Sequence, residues 1–295
     1  MVCEPRRNIY LGAIISICLM SLVGSGCSAS YPRENLHEAI QKIFKEELGV
    51  ESRSKLAGRT LYISFPIQGL ISENFELSKD VSEKLENAML SISRIALSTN
   101  AEIDFTVLES VDRTWGVNAR LIRRLQDLKD LIYWRVSKTD FDERLVLEIS
   151  KESRASAEGV ISAVAEGDAE WHDLTMPEFM GRWVASRVNI GSRSNPFLGV
   201  LLGIEKLSPQ FNPQTRTLTL EVDRFENAVS SGAASISINL IKSTLMDQLS
   251  SVEEKYSVHD WADQVVLRKR GGGILLAISR EEWVNSRKEK TAQKN

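Results

Sequence analysis

Three histidines occur in this 295-residue chain, and two of them sit in similar settings: Glu-Trp-His-Asp-Leu at 170–174 and Val-His-Asp-Trp-Ala-Asp at 258–263. A histidine beside a carboxylate can serve as a base oriented by the acid, or join a metal site. Adjacent residues point apart on a helix or a strand. His172 with Asp173, and His259 with Asp260, therefore make a site only if the fold brings them together, with Glu170 and Asp263 as the further groups that could converge. The competing reading gives these residues capping and surface roles while the neighbouring Trp171 and Trp261 pack inward. His37, beside Glu38 on the first helix, reads as a solvated position.

Other reaction motifs are missing or out of context. Neither a Gly-x-Ser-x-Gly elbow nor a His-Glu-x-x-His helix occurs. Ser52 to Lys55 matches a Ser-x-x-Lys spacing, but in a polar loop and without the companion elements of that chemistry. Gly271, Gly272 and Gly273 lack the Lys-Ser/Thr ending of a phosphate loop and read as a hairpin turn. An anion nest beside Arg268, Lys269 and Arg270 is the weaker alternative. The carboxylates Asp140, Asp142 and Glu143, and Glu253 with Glu254, suit helix starts or solvated faces. Trp115, at a hairpin tip with no core to enter, is a candidate contact for a partner, glycan or membrane, unless it folds back onto Trp134. No cofactor and no metal is implied.

The cysteines give an address. Cys3, Cys18 and Cys27 all lie in the first tenth of the chain, so the body is thiol-free and excludes thiolate metal sites and thiol catalysis. Arg6 and Arg7 precede an apolar run of about 15 residues ending in Gly24, Ser25 and Gly26, the layout of a secretory signal. The run falls short of the roughly 20 residues a spanning helix needs. Its end, Gly24-Ser25-Gly26-Cys27, resembles the lipobox of bacterial lipoproteins, with Gly24 where an aliphatic residue is usual. The resemblance covers the leader alone. It implies lipidation of Cys27, cleavage before it, and a membrane anchor; Ser28 and Ala29, rather than an Asp, imply an outer-membrane, periplasm-facing destination. Removing residues 1–26 leaves 35 basic and 39 acidic residues, a net charge near −4, which does not suit a nucleic-acid binder.

Periodicity supplies the scaffold. Leu36, Ile40, Ile43, Phe44 and Leu48 form a helical stripe stopped by Gly49. "RTLYISFPI" alternates as a strand ended by Pro66, and a helix then places Val81, Leu85, Met89, Ile92 and Ala96 on one face. "AEIDFTVLESVD" is a strand, and "VNARLI" is either a returning strand or the start of one long helix from Asn118. Downstream, Thr175 and Glu178 suit a capping box before "MPEFMGRWVASRV". "TRTLTLEVDRF" is a strand, followed by a helix through Ile241, Leu245, Leu249 and Val252 and by a hairpin from "DQVVLRKR" to "ILLAISR". "RLVLEIS" is a strand or a helix end, and "FLGVLLGI" a buried strand.

The expected fold class is α+β, mixed α/β. Two similar strand-helix-strand-strand units, each preceded by an amphipathic helix, follow a cleaved signal. The divisions are a signal at 1–26, a tether at 27–34, a first unit at 35–150, a connector at 151–172, a second unit at 173–284 and a disordered tail at 285–295. The expected function is a lipid-anchored envelope protein with a non-enzymatic binding or scaffolding role, touching the membrane through Cys27 and an envelope protein partner. The rivals are an envelope-polymer hydrolase of peptidoglycan type built on the His172 and His259 segments, and a carrier of lipid or another hydrophobic ligand, which needs an apolar cavity.

Overall fold

The computed structural model describes residues 31–69, 79–112, 117–151, 171–194, 206–222 and 231–294. Within them the chain is a mixed α/β protein with two β-sheets interspersed with helices. The strands of the first sheet lie side by side in sequence order: β1 (Arg53–Ala57), β2 (Thr60–Ile67), β3 (Phe105–Asp112), β4 (Val117–Arg124) and β5 (Val146–Lys151). The second sheet orders β6 (Leu207–Asn212), β7 (Thr217–Val222), β8 (Gln264–Lys269) and β9 (Ile274–Ser279) in the same way. The helices are α1 (Leu36–Ile43), α2 (Lys79–Ser98), α3 (Leu125–Ile132), α4 (Lys138–Glu143), α5 (Met176–Ser194), α6 (Ser231–Tyr256) and α7 (Arg280–Lys294).

Strand pairing is antiparallel except between β2 and β3 and between β7 and β8, which are parallel. A parallel pair needs a crossover, and α2 and α6 lie on those connections. The stripes read from the sequence face the core: Leu36, Ile40 and Phe44 are buried, as are Val81, Leu85, Met89, Ile92 and Ala96. After α1, a wider turn at Phe44–Leu48 ends at Gly49 with φ +67°, a conformation that favours glycine.

Several local expectations change. Residues 53–55, read as polar loop, belong to the edge strand β1. Its polar residues fit an edge with one neighbour, where hydrophobic alternation is weak. Pro66 does not end β2, because β1 reaches only as far as Ser64, so the missing N–H has no strand partner to disappoint. The Asn118 ambiguity resolves as strand β4 followed by α3, and "RLVLEIS" contributes β5. The tail expected to lack order continues α7 to Lys294; Ser279 and Glu282 form a capping box at its start, and Trp283 is fully buried. "FLGVLLGI" and most of the expected connector lie outside the described residues.

The two faces of the first sheet carry separate cores. Leu61, Ile63, Phe65 and Leu108 pack against α1 and α2. Tyr62, Phe105, Val107, Ile122 and Val146 point the other way, into a core shared with α5, α6 and the second sheet. Alternation of side chains across a strand makes this division. The shared core makes α5 the seam of the molecule. Ser186 donates to the Leu147 carbonyl (2.8 Å) and accepts from its N–H (3.2 Å). Asn189 accepts from the Leu207 N–H (2.8 Å) and donates to its carbonyl (3.1 Å). Two side chains three residues apart on one helix thus satisfy open edges of both sheets, groups that would otherwise be free to pair with another chain.

Candidate functional site

The exposed surface breaks its own rules most clearly between α3 and α4. Leu125, Asp127 and Leu128 of α3 are buried, but its last residue Ile132 and the Tyr133 and Trp134 that follow are 51%, 66% and 92% exposed. The helix closes in a Schellman motif: the Trp134 N–H donates to the Leu131 carbonyl (3.0 Å) and the Arg135 N–H to the Asp130 carbonyl (2.8 Å). That motif requires a left-handed residue at the position of Trp134, whose φ is +57°. Glycine is the usual occupant, and an L-residue there costs roughly 1–2 kcal/mol. A bulky aromatic occupies a strained position without burying itself. Exposed aromatics on strained backbone are the combination expected of a contact element.

The knob stands on a fixed base. Arg144, just after α4, is 9% exposed at its side chain and binds the fully buried Asp127 of α3 (Nη1 to Oδ1, 3.1 Å). It also binds Asp140 of α4 through Nε and Nη2 (3.1 and 2.9 Å). Lys255 near the end of α6 closes the network, donating to Asp140 (2.8 Å) and Glu143 (2.7 Å). The Glu143 carbonyl accepts from the Trp183 indole (2.9 Å) and from Arg187, both on α5. Tyr256 donates to the Arg144 carbonyl (3.3 Å). The helices flanking the knob are thereby clasped to α5 and α6.

Burial sets the electrostatics of this clasp. Desolvation raises the Asp127 carboxyl above its ordinary range even though the Arg144 hydrogen bond opposes it. Burial works in the same direction at Asp140, but hydrogen bonds from Lys255 and Arg144 outweigh it and hold Asp140 low. Burial also pulls the Arg123 guanidinium down to about 10, while its Nη1 donates to the Phe141 carbonyl (3.1 Å). Of the carboxylates read as helix starts or solvated faces, Asp140 stands in the first turn of α4 and Glu143 is exposed; both also pair with Lys255, and Asp140 with the buried Arg144. Glu253, likewise read as solvated, is buried and accepts from the Trp283 indole (3.3 Å).

The histidine segments have other partners. Asp173 accepts from the Arg59 N–H (2.9 Å) and the Thr60 hydroxyl (3.2 Å), and Thr60 Oγ1 in turn accepts from the Leu174 N–H (2.8 Å). The His172 carbonyl accepts from Tyr62 (2.8 Å), whose ring stacks on Trp171 at 5.5 Å. The His172 ring is half exposed and lies 3.5 Å from Glu178. Glu178 also completes the expected capping box, accepting from the Thr175 N–H (2.8 Å). This segment stitches the start of α5 to β2. His259 is exposed; Asp260 pairs with Arg280, and Asp263 stands 3.5 Å from Arg216. Neither histidine lines the cleft between the two sheets or the smaller pocket at Phe65 and Lys84. Among the described residues no group of three or more His, Cys, Asp or Glu side chains is placed to hold a metal ion.

Glu170, Trp115 and the whole leader including Cys27 lie outside the described residues. Sequence reasoning missed the knob because Ile132 continues the helical spacing of Leu125 and Leu128, which predicts burial. The signal that could have found it is the missing glycine after the last periodic residue. No protein-family model, curated protein or solved structure matches this chain.

Proposed function

We propose that this chain is a lipid-anchored envelope protein that binds a protein partner without catalysing a reaction, and that Ile132, Tyr133 and Trp134 are its contact element. The observation that carries this reading is the 92% exposure of Trp134 at a strained helix end. Tyr133, Trp134 and Arg135 are successive residues of the three types most enriched at interface hot spots. The Arg135 guanidinium lies 5.6 Å from the Tyr133 ring, and the clasp beneath limits the entropy lost on docking. Lipidation of Cys27, cleavage before it and a periplasm-facing outer-membrane position belong to this reading. They rest on the leader and would raise the effective concentration of the knob for neighbouring envelope proteins.

The body is read as a tandem of two similar units. Support comes from the shared sequence of pairings, antiparallel, parallel, antiparallel, with a long helix on each parallel connection. β5 is the addition that sets the first unit apart.

A photocrosslinking residue at Tyr133, in full-length protein in its native envelope, tests the contact. Protein adducts are expected at Tyr133, absent from a control probe at the exposed Leu90, and lost on Trp134→Ala. Adducts to lipid alone, or the same adducts from both positions, would overturn the reading. Palmitate labelling with a Cys27→Ser control tests the anchor separately.

A further inference from the structure

Between β4, β5 and α5 on one side and β6 with the β8–β9 turn on the other lies a cleft of about 430 Å³, in the size range of small-molecule sites. Arg120, Arg182, Lys206 and Arg270 line it against one carboxylate, Glu148. Counting Glu109, buried behind Arg120, the local balance is +2 in a chain whose formal net charge is −3. The cleft is thus a positive spot on an acidic protein. Its polarity is wrong for an apolar cargo.

The floor of the cleft is held in place by paired charges. Glu109 accepts from Asn118 Nδ2 (2.7 Å) and from Arg120 Nη2 (2.9 Å). Glu148 accepts from Arg182 Nη1 (2.8 and 3.0 Å) and stands 3.7 Å from Arg120 Nη1. These bonds fix the rotamers and leave two atoms over. The amide nitrogen of Asn118 must face the Glu109 carboxylate, so Oδ1 is the atom directed elsewhere; it is buried and has no hydrogen-bond partner. Arg120 Nε is also buried without one. Buried polar atoms of this kind are rare in native proteins and call for a partner. One is an acceptor and the other a donor, and both belong to residues that line the cleft.

We propose that the cleft binds a small hydroxylated oxyanion, a sugar acid or a sugar phosphate. Its charged group pairs with Lys206 and Arg270 at the cleft wall, and its hydroxyls face Asn118. The wide, partly open cleft admits a ring of that size, and guanidinium groups suit carboxylate and phosphate alike. This site is independent of the knob.

Titration calorimetry on the full-length protein in detergent micelles tests it, with glucuronate, glucose 6-phosphate, glucose, acetate and inorganic phosphate as probes. Glucuronate or glucose 6-phosphate is expected to bind at least tenfold more tightly than acetate or phosphate, with glucose failing to bind. Which of the two anions wins identifies the charged group. The double variant Lys206→Gln/Arg270→Gln removes charge at the cleft wall without touching the buried pairs, and is expected to weaken binding at least tenfold. Absence of binding by every anion, or full affinity in the double variant, would overturn the site. Acetate or phosphate binding as tightly as the hydroxylated anions would overturn the role of Asn118.

Discussion

The two sheets share their order of pairings and differ in what covers them. Every residue of β3 is buried, and β2 is buried at all positions but Pro66, because helices or the shared core lie on both faces. β7 alternates between half-buried and buried residues, with Leu218, Leu220 and Val222 inward and Thr217, Thr219 and Glu221 outward. The same arrangement of strands therefore produces two chemical environments. In the first sheet a charged residue such as Glu109 must bring its partners with it, whereas Glu221 of the second meets Arg268 at a partly exposed surface, 3.4 Å away. The burial of both faces turns the first sheet's polar residues into structure and cleft.

Charge removal on the two sides breaks the comparison most directly. Arg120→Ala leaves the buried Glu109 carboxylate of β3 without its ion-pair partner and is expected to cost about 3–5 kcal/mol in urea unfolding. Glu221→Ala, on the open face of the second sheet, is expected to cost about 1 kcal/mol or less. Equal costs would mean that covering both faces makes no energetic difference.

Turn glycines give the next contrast. Gly58 in the β1–β2 turn has φ +59°, and a Cβ there would lie 2.3 Å from Asp173 Cγ. Gly271 in the β8–β9 turn has φ +64° with open space around it. Gly271→Ala is expected to lose about 1 kcal/mol from backbone strain alone. Gly58→Ala should lose about 2–3 kcal/mol, since overpacking at the α5 seam is added to the same strain. Thermal unfolding of both variants checks the order.

Trp134→Gly has the opposite sign. Relief of the left-handed backbone is expected to stabilise the fold by about 1 kcal/mol while removing the partner contact. Loss of stability in this variant would remove the strain argument for the knob.

The smallest expected effect is on pH dependence. Asp140 is held low by its hydrogen bonds, so its contribution is complete above the ordinary aspartate pKa of about 3.9 and is lost as pH falls through its folded value. Asp127 is held high by burial, so its contribution has the reverse sign. It is complete at acid pH and lost as pH rises from the ordinary value to the folded one. Lys255→Met takes one hydrogen bond from Asp140 and is expected to flatten the acid-side fall in urea midpoint between about pH 2 and pH 5. An unchanged acid limb would show that Lys255 does not tune Asp140.

Much of the scaffold is legible in the sequence. The stripes of α1 and α2, the alternation of β7, the Thr175–Glu178 capping box and the glycine hairpin each follow from a local period or a local hydrogen bond. β1 was illegible because an edge strand with one partner carries little hydrophobic alternation. Residues 285–294 were illegible because their charge pattern has no apolar period; the helix is anchored at its start, by Trp283 and Val284 in the core and by Glu282 paired with Lys242. The His-Asp pairs looked like chemistry because of residue type. Asp173 proved to be a fastening between α5 and β2, a role that sequence spacing cannot distinguish from catalysis.

By itself, the sequence determined α1, α2, α5, α6, β2, β3 and β7 to β9 and the faces most of them turn inward, because those properties are set by neighbours within a few residues. Tertiary structure alone decided what sits beside what. Asp173 meets Thr60 across 113 positions and Lys255 meets Asp140 across 115. The cleft gathers Arg120, Arg182 and Arg270 from three separate parts of the chain. Ile132, which local spacing would pack inward, is left outside with Tyr133 and Trp134 at the turn that closes α3. Periodicity records the faces of elements; charge pairing, strain and unsatisfied atoms arise only when distant faces meet.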